Sequence, residues 1–185
     1  IGILPLGSAN GMVKELEIPE SVQESLEVIA QFNTRTIDAI FVNQQHLCLH
    51  IGDIGLNAAV VKGFEEDDSR GMGGYLKQLL KELFDPSTVK YSITTGEGER
   101  HQFKALMIAF ANASRYGTGA IVNPQGKLGD GKFELCIFEP FPVWKFFRIL
   151  TSFFIGTLNR SDYVRYLSDT SVTIEAEQPQ ELQID

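Results

Sequence analysis

From Arg35 onward the chain is built of short runs of β-forming residues, at about 36–42, 47–51, 55–61, 89–95, 103–111, 118–122, 133–139 and 170–176, separated by Gly and Asn turns. Such a succession predicts antiparallel sheets packed face to face. Two helices interrupt it, at about 74–84 and 141–158. The expected fold is therefore mainly β, of the α+β kind: an antiparallel β-sandwich with covering helices. With 43% apolar residues, a chain of 185 has enough to fill its core. Before residue 35 the pattern differs. Residues 1–4 read as a buried strand, the turn at 7–10 leads into a helix through about Leu16 with Ser8 or Asn10 able to cap it, and Pro19 opens a second helix to about Phe32. A boundary is expected at residues 33–35, dividing the chain into 1–34 and 35–185.

Charge and cysteine usage exclude several classes of function. The net charge of −8 is spread along the chain, apart from the acidic run 65–68, and leaves no basic surface for nucleic acid. Cys48 and Cys136 sit in apolar strand patterns without Cys-x-x-Cys spacing and read as small buried hydrophobes. His46, His50 and His101 lack metal-ligand spacing and read as structural, with His46 and His50 expected on one pleat face. A reducing cytoplasm is the expected location. No signal peptide is visible, and the abrupt apolar start without an initiator Met reads as the middle of a fold.

Three segments carry candidate chemistry. In residues 123–135, NPQGKLGDGKFEL, Asp130 is held in a glycine-flanked turn. That is either a simple Asp-Gly turn, with Gly131 at positive φ, or the presentation of a metal-binding or catalytic carboxylate. In residues 5–11, PLGSANG, small residues and a hydroxyl precede a helix, which suits either a plain cap or a phosphate cradle. Together they are the two halves of a phosphoryl-transfer site. The helix at 141–158 is about 27 Å long, short of a ~30 Å hydrocarbon core, and carries a polar stripe of Lys145, Arg148 and Ser152. It is expected to cover the sandwich or to lie at a bilayer interface.

PLGSAN, TRTIDAIFVN, GDIGLNAAV, GMGGYL and NPQGKLGDGKFEL, in that order, resemble the bacterial diacylglycerol kinase and sphingosine kinase-like lipid kinases over nearly the whole chain. The resemblance implies that residues 1–34 end an α/β nucleotide-binding domain, a strand-turn-helix remnant of it, and that 35–185 form the lipid- and metal-binding sandwich. It implies transfer of the γ-phosphoryl group of ATP to a lipid hydroxyl, diacylglycerol-like or sphingoid. Gly7, Ser8 and Asn10 match nucleotide-contacting positions. Asp130 matches a Mg²⁺ ligand, with the main-chain carbonyls of Lys127 and Lys132 as co-ligands. The family's Gly-Gly-Asp-Gly-Thr loop is expected before Ile1 and its general base, a Glu, just past Asp185, so Asp185 takes a supporting role and the 185 residues alone are expected to be inactive. Ser8 stands for the usual Thr and keeps the hydroxyl. Gly11 stands for the usual Asp, which puts nucleotide affinity in doubt, and Asn57, where relatives often carry Asp, is given no role. Arg70 and Arg115 are the remaining phosphate candidates. The expected partners are a lipid substrate and, peripherally, the inner face of a membrane, with a homodimer left open. An NAD kinase-like enzyme and a non-catalytic lipid-binding module are the alternatives.

Overall fold

Burial alternates along one strand and is continuous along two others, and that contrast sets out the layers. In β4 (Val89–Thr95) Val89, Tyr91 and Ile93 point inward and Lys90 outward, as in a strand with one wet face. In β6 (Met107–Ala111) every residue is buried, and in β7 (Phe133–Phe138) all but the first. Those two strands therefore have protein on both faces.

The computed structural model describes residues 1–7, 10–56, 88–115 and 120–184. Its remaining elements are α1 (Gly11–Glu15), α2 (Val22–Ala30), β1 (Ile40–Val42), β2 (His46–Cys48), β3 (Ile51–Gly55), β5 (Arg100–Ala105), α3 (Phe146–Ile155), β8 (Val164–Asp169), β9 (Val172–Ala176) and β10 (Leu182–Gln183). All paired strands are antiparallel, in a five-stranded sheet ordered β10-β3-β6-β7-β8, a three-stranded sheet ordered β5-β4-β9 and the small β1-β2 pair. Val89, Tyr91 and Ile93 of one main sheet meet Ile108, Phe110, Leu135 and Ile137 of the other, which forms the sandwich interior. The opposite face of the five-stranded sheet presents Met107, Ala109, Cys136 and Phe138 to Ile149 of α3 and to Val122 and Leu128 of the long β6–β7 connection. The mainly β sandwich with a covering helix is thus borne out.

Several expected elements differ in detail. The run 103–111 is not one strand: it leaves the three-stranded sheet at Ala105 and enters the five-stranded sheet at Met107. Leu106 makes the corner, donating its N–H to the Phe138 carbonyl (2.8 Å) and accepting from the Leu56 N–H (3.0 Å). A strand that changes sheets must break its ladder somewhere, and composition alone does not mark the point. Residues 1–4 form no strand and Ile1 is fully exposed; the segment's backbone bond among the described residues is the local one from the Leu6 N–H to the Leu4 carbonyl (2.9 Å), and no strand pairs with it. The run expected at 47–51 is divided by a step at Leu49 and His50 between β2 and β3, so His46, exposed in β2, and His50, buried in the step, do not share a pleat face. Strands β8 and β10 had no counterpart in the sequence pattern.

The helix expected at 141–158 is shorter. A 3₁₀ turn, Val143–Lys145, precedes α3, and Gly156, at φ 68°, ends it in the left-handed conformation that favours glycine. No helix among the described residues is long and apolar enough to cross a membrane. Near the N-terminus, Val13 of α1 is buried, Met12 and Leu16 pack on the core, and the Glu15 carboxylate accepts the Ser114 hydroxyl (2.8 Å) and N–H (3.2 Å). Both cysteines are buried and neither forms a disulfide, as expected. Burial, and then the charge of Glu134, pushes the Cys136 thiol well above its ordinary range.

Ser8, Asn57, Arg70 and Asp185, the helix expected at 74–84, the acidic run 65–68 and most of the strand expected at 55–61 lie outside the described residues. Of the strand expected at 118–122, Ile121 makes an isolated bridge to Arg115, whose side chain is exposed.

Candidate functional site

The connection from β6 to β7 passes beneath the five-stranded sheet before it presents Asp130, and each of its fixings can be traced to a residue type. Asn123 is fully buried and its Nδ2 donates to Glu134 Oε2 at 2.6 Å, which ties the start of the loop to β7. Gly126 donates its N–H to the Asn123 carbonyl (3.1 Å). A Cβ there would stand 2.6 Å from Asn123 Nδ2 and 3.1 Å from the Ala113 backbone, so a side chain has no room. Leu128 is buried in the core, and its carbonyl accepts the Asp38 N–H at 2.6 Å.

The turn itself follows. Asp130 is exposed, and its Oδ1 accepts the Lys132 N–H at 3.1 Å. Gly131 takes φ 75°, as an Asp-Gly turn requires. The turn closes a long folded connection and not a two-residue hairpin, since β6 ends at Ala111 and β7 begins at Phe133. Gly131 donates its N–H to Asp38 Oδ2 at 2.6 Å, a short charge-assisted bond. Two carboxylates therefore flank this turn, one presented to solvent and one holding the backbone.

Asp38 was not singled out from the sequence, although it stands in the TRTIDAIFVN segment. A lone acid beside Ile37, Ala39 and Ile40 was the available signal. Its partners are some ninety residues distant in sequence, and nothing local points to them. Asp38→Ala is expected to speed hydrogen exchange at the Gly131 amide by at least tenfold and to cost about 1 kcal/mol in urea unfolding, the ordinary worth of one such bond at a half-buried site. Unchanged protection at Gly131 would show that the turn holds itself.

Beside this turn a cavity of about 880 Å³ enters the sandwich. Asp38, Gly131 and Lys132 belong to its lining, as do Ile54, Phe110 and Leu135 of the five-stranded sheet and Ile174 of β9. Polar residues line it at the turn and also at Thr170, Ser171, Glu177, Gln178 and Gln180. Asn112, buried in the same lining, donates Nδ2 to the Asp38 carbonyl (2.7 Å) and the Leu49 carbonyl (3.1 Å), while its Oδ1 has no partner among the described residues. The segment that carries Asp38 is thus fixed from two sides.

The other expected site elements lie apart from this group. Gly7 donates its N–H to Asn10 Oδ1 at 2.8 Å, so the amide expected to face an anion is satisfied within its own turn. Asn10, in the left-handed region at φ 49°, does not cap α1 with its side chain, and α1 is a single short helix of five residues. The hydrogen bonds of the described residues do not link the Gly7–Asn10 turn with that at Asp130. Lys127 and Lys132 are exposed, and the Lys132 N–H serves Asp130. No group of three or more metal-ligating side chains occurs among the described residues. A metal at Asp130 would rest on that carboxylate and on main-chain oxygens. That hard, sparse donor set fits Mg²⁺, which keeps several of its waters.

Comparison with known proteins bears on the fold and the family. Residues 53–185 match the family described as YegS C-terminal NAD kinase beta sandwich-like domain, and residues 1–42 match the diacylglycerol kinase catalytic domain. A Chromohalobacter salexigens protein named "probable lipid kinase YegS-like" is 27% identical over 187 residues, covering 100% of this chain and 60% of that protein. The Escherichia coli O1:K1 / APEC "probable lipid kinase YegS" is 27% identical over 140 residues, covering 75% of this chain and 46% of that protein. The chain thus spans about half the length of the curated relatives it matches. Two solved chains from Bacillus anthracis str. Sterne share the fold. One superposes with TM-score 0.73 at 17% identity, covering 96% of this chain and 58% of that one. The other, a crystal structure of a diacylglycerol kinase, superposes with TM-score 0.66 at 16% identity, covering 96% and 56%.

Proposed function

The chain belongs to the family of YegS C-terminal NAD kinase beta sandwich-like domains, and from that membership we propose that it serves the ATP-dependent transfer of a γ-phosphoryl group to the hydroxyl of a diacylglycerol-like or sphingoid lipid. The observation that carries this reading is that Gly131 and Lys132 of the Asp130 turn line a cavity whose walls between the sheets include Ile54, Phe110, Leu135 and Ile174. A lipid tail placed among Ile54, Phe110, Leu135 and Ile174 would leave its hydroxyl near Asp38 and Lys132. Burial of the tail stabilises this orientation by about 25 cal/mol for each Å² of apolar surface removed from water. The relatives' names, lipid kinase and diacylglycerol kinase, support the same substrate class.

Asp130 is the residue proposed to hold Mg²⁺, together with the main-chain carbonyls of Lys127 and Lys132. When bound, the ion supplies charge neutralisation for the phosphoryl group in transfer. Asp38 positions the turn through Gly131 and is not needed as a ligand. Gly7, Ser8 and Asn10 are proposed to face the nucleotide. There the Gly7 N–H is taken by Asn10 Oδ1, so contact with ATP is assigned to the Asn10 side-chain NH₂ and the Ser8 hydroxyl. Asp185 keeps the supporting role that the family likeness gives it.

The family description also names NAD kinase, and that reading predicts a different acceptor. Supplied with ATP, Mg²⁺ and equal concentrations of diacylglycerol in mixed micelles and NAD, the protein that carries this chain is expected to phosphorylate the lipid at least tenfold faster. Faster phosphorylation of NAD would replace the proposal with the nucleotide reading. Lipid binding with transfer to neither acceptor would identify a lipid-binding module.

A further inference from the structure

Helix α3 buries Phe146, Ile149 and one member of its polar stripe, Ser152, and leaves much of its aromatic surface to solvent. Ser152, the last residue of the expected polar stripe, is buried, and its hydroxyl donates to the Ile149 carbonyl at 2.6 Å. Phe146 and Ile149 lie on the same buried face. Opposite them, Trp144 is 79% exposed, Phe147 70%, Phe154 58% and Ile155 69%. At 3.6 residues per turn these four and Thr151 fall within an arc of about 120°, so they form one continuous stripe. Scattered single apolar residues on a surface need no explanation, but a stripe of three aromatics and an Ile does.

The charges around the stripe specify its partner. Residues 140–161 contain Lys145, Arg148 and Arg160 and no Asp or Glu, in a chain whose net charge is −8. Among the described residues none of these three cations is ion-paired. Arg148 borders the stripe and is itself exposed. A local excess of cations beside exposed Trp and Phe, on a helix too short to span a membrane, fits the headgroup region of an anionic bilayer. We infer that the 3₁₀ turn at Val143–Lys145 and α3 form a docking surface for an anionic lipid bilayer, with the aromatic stripe entering the interface and Lys145, Arg148 and Arg160 meeting lipid phosphates. Long cationic side chains next to an apolar face can reach the headgroups while their stems remain in contact with it. The inference concerns α3 alone and does not depend on phosphoryl transfer.

Trp144 is the single tryptophan of the chain, so it reports directly on the surface in question. The experiment adds vesicles of phosphatidylglycerol and phosphatidylcholine, or of phosphatidylcholine alone, to the protein without nucleotide, and follows Trp144 emission and co-sedimentation. The expected result is a blue shift and binding to the anionic vesicles, with a partition coefficient at least tenfold above that for the zwitterionic ones. Phe147→Ser with Phe154→Ser is expected to lower partition at least tenfold. Arg148→Glu is expected to lower binding to the anionic vesicles several-fold and leave the zwitterionic value unchanged. Unchanged circular dichroism confirms that these surface variants fold. No response to either vesicle overturns the inference. So does a Trp144 already shielded from acrylamide before lipid is added, which would mean that protein covers the stripe. A blue shift that depends on protein concentration and accompanies dimerisation without vesicles overturns it as well and assigns the stripe to a second copy.

Discussion

Asp130→Ala is expected to lower lipid phosphorylation by the protein that carries this chain by about 10² or more while changing its unfolding free energy by no more than about 1 kcal/mol. The two effects separate because of where the side chain stands. Asp130 is exposed, and its one hydrogen bond among the described residues, from the Lys132 N–H, lies at a turn that Asp38 also holds. Stability therefore has little to lose. Function has much to lose, since the proposed Mg²⁺ has one side-chain ligand in this region and only main-chain oxygens otherwise. Asp130→Asn keeps the turn geometry but removes the charge, and it too is expected to be impaired, with a higher Mg²⁺ concentration needed for half-maximal rate. Lys127→Ala and Lys132→Ala act as controls. Their carbonyls survive the substitution, so activity should stay within about threefold of the parent. Normal phosphorylation by Asp130→Ala would remove the metal assignment, whereas a loss matched by unfolding would reduce Asp130 to a turn residue.

How much of this was legible in the sequence depends on the distance over which each feature is determined. Strand β4 matches its expected limits because alternation along 89–95 is a local property. The turn at Asp130 was also readable, since Asp-Gly chemistry needs only neighbouring residues. The break at Leu106 was not, because it is set by Phe138 and Leu56 in other parts of the chain. Asp38 was missed for the same reason: its worth lies in bonds to Leu128 and Gly131. Helix α3 shows a different failure. Spacing correctly grouped Lys145, Arg148 and Ser152, but which side of a helix is buried depends on what the sheet offers it. Ser152 can be buried at low cost because its hydroxyl returns to the Ile149 carbonyl. Residue type placed Arg148 outside correctly, but packing buried Ser152 and exposed Phe147 and Phe154.

Glu134→Ala is expected to cost about 3 kcal/mol in unfolding free energy, whereas Glu134→Gln costs about 1 kcal/mol or less. Glu134 is buried in β7, an interior strand of the five-stranded sheet, opposite Ala111 of β6 and Ser168 of β8. Its Oε2 accepts from Asn123 Nδ2 at 2.6 Å and its Oε1 from Ser168 Oγ at 2.9 Å. The two donors respond differently when the carboxylate is lost. Ser168 is exposed and can turn to water, but Asn123 is fully buried and would keep an unsatisfied N–H beside a new cavity. Glutamine avoids both penalties if its carbonyl faces Asn123, because the Ser168 hydroxyl can then accept from the new amide instead of donating. The contrast between the two variants, measured by urea unfolding, separates hydrogen bonding from charge, since a requirement for the charge itself would make Gln as costly as Ala. Asn123→Ala should also be non-additive with Glu134→Ala, with a coupling energy of about 1–2 kcal/mol. The effect reaches the proposed site because Asn123 begins the loop that ends at Asp130. Glu134→Ala should therefore lose lipid phosphorylation even at temperatures where it remains folded, and Glu134→Gln should keep it. Full activity in folded Glu134→Ala would mean that Leu128 and Asp38 suffice to hold the turn.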